Sequence, residues 1–236
     1  GLDKALKISG WNEFETRKAE SKRHGKLRGI GLANAIERAA PPGMEYAEIR
    51  FDSTGGATLA VGTKGQGQGH ETMYRMIAAS RLGIPMEELR FTDGDTDAVA
   101  WGQGTGGSRS LYGAGSAVKL RGPKIIDTAR PHAASALCAG HNAAGAILPP
   151  VEYAGGAFHA AGRSIGLLEL AQRLAANAGM EQAAANRAAH PMDCAADCLF
   201  GVTYPNGCHI AEVEIDADTG AVDVLHVDVA LGRGDL

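Results

Sequence analysis

Thr58-Leu59-Ala60-Val61 runs into Gly62-Thr63-Lys64-Gly65-Gln66-Gly67-Gln68-Gly69-His70, and the chain then takes on helical apolar spacing. Further on, Phe91-Thr92-Asp93-Gly94-Asp95-Thr96-Asp97 leads to a second glycine-rich turn, Gly102-Gln103-Gly104-Thr105-Gly106-Gly107-Ser108-Arg109-Ser110, and again to a helical pattern. Glycine lets a bulky group approach the backbone with no Cβ in the way. The free N–H groups and positive dipole end of a following helix favour an anion. Neither turn has Rossmann spacing or the Gly-Lys-Ser/Thr of a P-loop. Both carry more donors than turning requires: Gln66, Gln68, His70 and Thr72 in one, Thr105, Ser108, Arg109 and Ser110 in the other. A helix end contributes about 0.3–2 kcal/mol toward an anion, and a hydrogen bond to a charged group roughly 1.5–3 kcal/mol. Micromolar affinity needs about 8 kcal/mol, so the two turns would have to converge on one polyanion.

Around this stretch the polar–apolar alternation of Tyr46-Ala47-Glu48-Ile49-Arg50-Phe51, a turn at residues 52–56 and a return strand at 58–61 spell a hairpin. A helix over 71–82, with Met73, Met76, Ile77 and Leu82 inward, stops at Gly83-Ile84-Pro85, and residues 86–93 hold a third strand. Ala47-Glu48-Ile49-Arg50-Phe51-Asp52 is echoed by Ala211-Glu212-Val213-Glu214-Ile215-Asp216, so the hairpin is read as repeated. Before the first hairpin, residues 2–8 and 11–23 read as helices and 26–33 as the start of a strand. After the second glycine turn, a helix from 108 should break at Arg121-Gly122-Pro123, resume from 124 and be interrupted near Pro131. Residues 139–150 read as loop, Val151-Glu152-Tyr153 with Ala157-Phe158-His159 as a hairpin, and 165–176 as a helix. Residues 183–200 are too alanine-rich to place.

The 236 residues, 44% hydrophobic, suffice for one large domain or two small ones. A net charge of −4 and pI near 6.1 argue against a nucleic-acid surface. No apolar run reaches the roughly 20 residues of a membrane span. His190, Cys194 and Cys198 have helical i, i+4, i+8 spacing, but without a CxxC pair the cysteines read as free thiols in a cytoplasmic protein. The alternating acids Asp93, Asp95 and Asp97 lack the other EF-hand positions and read as turn chemistry. No Ser/His/Asp triad can be argued.

Gly67-Gln68-Gly69-His70-x-Thr72, Arg81-Leu82-Gly83-Ile84-Pro85, Gly94-Asp95-Thr96-Asp97 and Gly104-Thr105-Gly106-Gly107-Ser108-Arg109-Ser110 follow one another in a known order. In these the chain resembles the molybdenum-cofactor-binding large subunit of the xanthine dehydrogenase and aldehyde oxidase family, in its aerobic carbon monoxide dehydrogenase-like branch. The resemblance implies an α+β fold of repeated hairpin–helix–strand units, truncated at both ends. Its segments would be a helical lead-in at 1–28, a first molybdopterin-binding unit at 29–140, a connecting segment at 141–200 and the incomplete start of a second unit at 201–236.

It further implies molybdopterin cytosine dinucleotide with molybdenum, gripped by Gln66, Gly67, Gln68, Gly69, His70, Thr105, Gly106, Gly107, Ser108, Arg109 and Ser110. Gln68 would hydrogen-bond a ligand of the metal. The implied chemistry is oxidative hydroxylation of a small molecule (an aldehyde, a heterocycle or carbon monoxide), with electrons leaving through an iron–sulfur cluster and FAD on partner subunits. The family's glutamate base has no counterpart in these residues, so the chain alone is expected to show no turnover. The alternative is a non-catalytic, degenerate cofactor-binding or assembly module.

Overall fold

The computed structural model describes residues 1–138, 150–178 and 190–232, so the segment 139–149 read as loop and residues 183–189 of the alanine-rich stretch lie outside the described residues. The chain forms two compact units, one of residues 1–39 with 202–236, the other of residues 40–201. Linear segments cannot capture this, because a strand from the start of the chain pairs with one from its end.

In the first unit, helices α1 (Leu2–Ile8) and α2 (Phe14–Arg23) precede strand β1 (Lys26–Ile36). β1 pairs antiparallel with β9 (Asn206–Asp216), which pairs antiparallel with β10 (Val222–Leu231). Ala5, Cys208, Ile210 and Ala230 form its small core, with Trp11 packed on it. The other face of this sheet exposes Val224, Val227, Val229 and Leu231, an apolar surface of the kind that marks contact sites.

The second unit is built on a four-stranded sheet in the order β4 (Leu89–Asp93), β3 (Ala57–Val61), β2 (Gly43–Phe51), β8 (Cys194–Phe200). Strands β2 (Gly43–Phe51) and β3 (Ala57–Val61) make the expected hairpin, with Ala47 opposite Val61. Asp52 seats its turn, one carboxylate oxygen accepting from the backbone amides of Thr54 and Gly56. Helix α3 (His70–Leu82) then crosses over to β4 (Leu89–Asp93), which pairs parallel to β3. Helix α3 buries His70, Tyr74, Ala78 and Leu82, an i, i+4 stripe, and leaves Met76 exposed, contrary to expectation. Gly83 ends it in a left-handed conformation.

Helix α4 (Ser110–Leu137) does not break at Pro123, nor is it interrupted at Pro131. Eight residues apart, the two prolines stand on the exposed face, where the carbonyls they leave unpaired meet water. Burial of Ile125, Ala129, Ala133 and Leu137 on the opposite face carries the helix through. The small residues expected at its packing face are buried, and a Cβ at Gly122 would stand 2.5 Å from that of Arg81, so α3 and α4 cross at the glycine.

Strands β5 (Glu152–Ala154) and β6 (Ala157–Ala160) form the third expected hairpin, and β7 (Arg163–Gly166) extends it. Helix α5 (Leu167–Asn177) begins after β7, which claims Ile165. Residues Cys194–Phe200, left unplaced from sequence, form strand β8 on the free edge of β2. Cys194 and Cys198 therefore lie along an extended chain, not on a helix, and all four cysteines are free thiols.

Candidate functional site

The parallel pairing of β3 with β4 positions the site. Val61 and Asp93 are register partners at the carboxyl ends of adjacent strands. The first glycine loop leaves from one and the segment leading to the second leaves from the other, so both start at the same edge of the sheet. Such edges, with helix N-termini above them, are where open α/β sheets take ligands.

The two loops touch through their backbones. Gly104 N donates to Gly62 O at 3.2 Å, and a Cβ at Gly102 would fall on the Gly62 carbonyl. The Thr105 hydroxyl spans the gap, accepting from Lys64 N at 3.0 Å and donating to Lys64 O at 2.7 Å. Gln68 folds back on its own loop: its Oε1 accepts from Gln66 N at 2.5 Å and its Nε2 lies 3.5 Å from the same Lys64 carbonyl. Gln68 and Thr105, 37 positions apart in sequence, thus meet on one oxygen.

Ser110 joins from below. Tyr74, wholly buried in α3, donates its hydroxyl to Ser110 O at 3.0 Å and stands 2.9 Å from the buried Thr63 hydroxyl. Burial pushes the Tyr74 phenol up to about 12, and it stays a donor.

A cleft of about 580 Å³ opens over Gly65, Gly67, Gly69 and His70 of the first loop, Glu71 and Thr72 of α3, and the end of β4 at Phe91, Thr92 and Asp93. The second loop abuts the first at Lys64 and is not part of this lining. Gly67 and Gly69 take φ of 99° and 77°, the left-handed region that favours glycine. Among the described residues nothing lies within 4 Å of where a Cβ would stand at Gly67, Gly69, Gly104 or Gly106, which leaves their backbones open to a ligand. His70 is 3% exposed, lies tilted against Tyr74 with ring centroids 5.1 Å apart, and among the described residues has no hydrogen-bond partner at either ring nitrogen. Burial holds its pKa down, with the Asp93 charge pulling the other way. The acids of the cleft are engaged: Glu71 pairs with Arg75 at 2.8 Å, and Asp93 accepts from Gly65 N at 2.6 Å.

In the second loop, Gly107 O accepts from Ala40 N at 2.7 Å, and Ser108 takes φ of 53°. A left-handed serine costs about 1 kcal/mol and persists where the surroundings enforce it. Arg109 turns inward to Glu45, Gln103 and Gly104. Sequence reasoning missed Tyr74, Thr63 and Glu45. Tyr74 is four residues past His70 on the buried stripe, where a hydroxyl needs partners. Glu45 precedes the inward positions Ala47, Ile49 and Phe51 in the period-two pattern, a carboxylate where an apolar residue belongs.

A family model described as a molybdopterin cofactor-binding domain matches residues 4–236. The carbon monoxide dehydrogenase large chain of Hydrogenophaga pseudoflava is 38% identical over 144 residues, 56% of this chain and 18% of that one. The nicotine 6-hydroxylase large subunit of Paenarthrobacter nicotinovorans is 33% identical over 129 residues, 50% of this chain and 16% of that one. Among solved structures, the reconstituted CO dehydrogenase from Oligotropha carboxidovorans superposes with a TM-score of 0.71 at 28% identity, covering 97% of this chain and 29% of that one. The chain thus spans less than a fifth of the two curated relatives' length.

Proposed function

The chain belongs to the molybdopterin cofactor-binding domain family, and from that premise we propose that it supplies part of the dinucleotide grip of a molybdenum hydroxylase large subunit. The observation that carries this reading is the meeting of the two glycine loops at Lys64, at the carboxyl ends of two adjacent parallel strands. The residues present fit such a cofactor. Open glycine backbones give a flat polar group access, and the buried imidazole of His70, with both nitrogens unpartnered among the described residues, lies against the cleft and can exchange a hydrogen bond there.

In this reading Gln66, Gly67, Gln68, Gly69 and His70 hold one end of the cofactor. Thr105, Gly106, Gly107, Ser108 and Ser110 would receive the pyrophosphate and pterin, and Gln68 would hydrogen-bond a ligand of the metal. When bound, the cofactor supplies two-electron oxidation of a small molecule such as an aldehyde, a heterocycle or carbon monoxide. The chain's own residues would orient it; none of those described is assigned as the base. The cytosine form of the dinucleotide, iron–sulfur and flavin partner subunits, and a cytoplasmic setting complete the proposal. Among the described residues no helix is long and apolar enough to cross a membrane.

The test is elemental analysis for molybdenum, with pterin fluorescence after acid release, on the protein purified with whatever subunits accompany it. About one molybdenum per chain is expected, falling severalfold in Gln68→Ala and Thr105→Ala. Neither metal nor pterin in the wild type would favour the assembly-module reading, which draws its support from the back-folded Gln68 side chain.

A further inference from the structure

Arg109 is the one charged residue of segment 102–110, and an arginine beside a glycine loop suggests a phosphate ligand. Its geometry says otherwise. The side chain is 13% exposed, and its Nε stands 3.3 Å from Oε1 of Glu45, a glutamate with no exposed surface. Nη1 donates to Gln103 Oε1 at 2.9 Å, and Nη2 to Gln103 O at 2.7 Å and Gly104 O at 3.0 Å. Every nitrogen of the guanidinium is turned toward Glu45 or toward its own loop.

Glu45 sits beneath both loops and under the start of α4. A Cβ at Gly62 would stand 3.2 Å from its Oε2, and one at Gly113 would stand 2.9 Å from its Cγ. A carboxylate in that position must be compensated, since an unpaired buried charge is strongly destabilising. Burial raises its pKa and the Arg109 charge opposes that rise, while among the described residues neither carboxylate oxygen has a hydrogen-bond partner. The planar guanidinium can meet the glutamate and two backbone carbonyls at once, which an ammonium point charge cannot.

We infer that Glu45 and Arg109 form a buried strut that sets the second glycine loop against the first, with Arg109 acting as a positioning residue and not as a ligand of phosphate. The strut itself follows from the contacts; its consequence for the cofactor rests on the function proposed above.

The test is hydrogen exchange at the amides of residues 102–107, in the protein without added ligand, for wild type, E45Q, R109Q, R109K and E45Q/R109Q. Both neutralising single variants should speed loop exchange about tenfold or more, while Ala78 in α3 keeps its protection. The double variant, with no charge left buried, should fold even where a single one does not, and should exchange no faster than either. R109K should fall between wild type and R109Q.

Pyrophosphate titration supplies the second readout. Both single variants should weaken binding by the same factor. Unchanged loop exchange in E45Q would overturn the strut, as would pyrophosphate binding that tightens in E45Q while weakening in R109Q, the pattern of a direct ligand freed from its partner. Wild-type protein that binds no pyrophosphate would refute the cofactor reading and leave exchange to decide the strut.

Discussion

At the residue scale, Tyr74 does what neither glycine loop can do alone. Its hydroxyl lies between Thr63, at the root of the first loop, and the Ser110 carbonyl at the head of α4. Tyr74→Phe keeps the ring packing on His70 and Phe91 but strands a buried hydroxyl and a carbonyl. The expected cost is about 1–3 kcal/mol, measured by denaturant unfolding against wild type. The variant should also respond differently to alkali. Because the folded-state pKa is raised to about 12, this tyrosine's share of stability is complete below its ordinary value of 10 and is lost as pH rises toward 12. Tyr74→Phe should remove that part of the alkaline decline. An unfolding midpoint equal to wild type at pH 7 would show that the hydroxyl links nothing of consequence.

At the element scale, the contact between loops depends on absent side chains. A methyl group at Gly102 would strike the Gly62 carbonyl and Cα, which are backbone and cannot swing aside. Gly102→Ala should therefore part the loops, break the Gly104–Gly62 and Lys64–Thr105 hydrogen bonds, and cost about 1–3 kcal/mol by overpacking. Gly106→Ala meets nothing within 4 Å and should stay within about 0.5 kcal/mol of wild type. Equal midpoints for the two variants in thermal unfolding would contradict the close approach.

The repeated hairpins teach a related lesson. Asp52 and Asp216 each seat a turn by accepting from the residues that follow, and the second turn is one residue longer. Yet the shared Ala-Glu pair faces opposite ways. Ala47 is buried and Glu48 is partly exposed, whereas Ala211 is exposed and Glu212 is buried. Helices pack on the Ala47 face of one sheet and on the Glu212 face of the other.

At the scale of the whole molecule, each unit carries one of the two tryptophans, Trp11 in the first and Trp101 in the second. The first unit is organised round Glu212, whose carboxylate meets Arg17 at 2.7 Å, Arg28 at 2.5 Å and His226 at 3.2 Å. Burial alone would raise its pKa, but the hydrogen bonds from Arg17 and Arg28 win and hold it below the ordinary carboxylate value. Glu212→Ala leaves two arginines without their partner. Both remain partly exposed and recover water, so the expected cost lies near the low end for a broken buried pair, about 3 kcal/mol. In a Trp101→Phe background, fluorescence of Trp11 should report the lowered midpoint. An unmoved Trp11 transition would remove Glu212 from its central place.

The sequence by itself determined the local elements and the identity of the loops. Alternation in residues 46–51, the apolar spacing after His70 and the glycine at 83 specify hairpin, helix and stop, because side-chain period and backbone freedom are properties of neighbouring residues. It also determined the family, through four short motifs in a set order.

Tertiary structure alone decided the rest. The parallel register of β3 and β4 brings loops from distant positions to one edge, and no local pattern encodes that pairing. Burial on one side of α4 overrides two prolines that read as breaks, because their unpaired carbonyls face water. The inward turn of Arg109 toward Glu45 is likewise tertiary, since a buried carboxylate needs a counter-charge that only the folded sheet brings within reach.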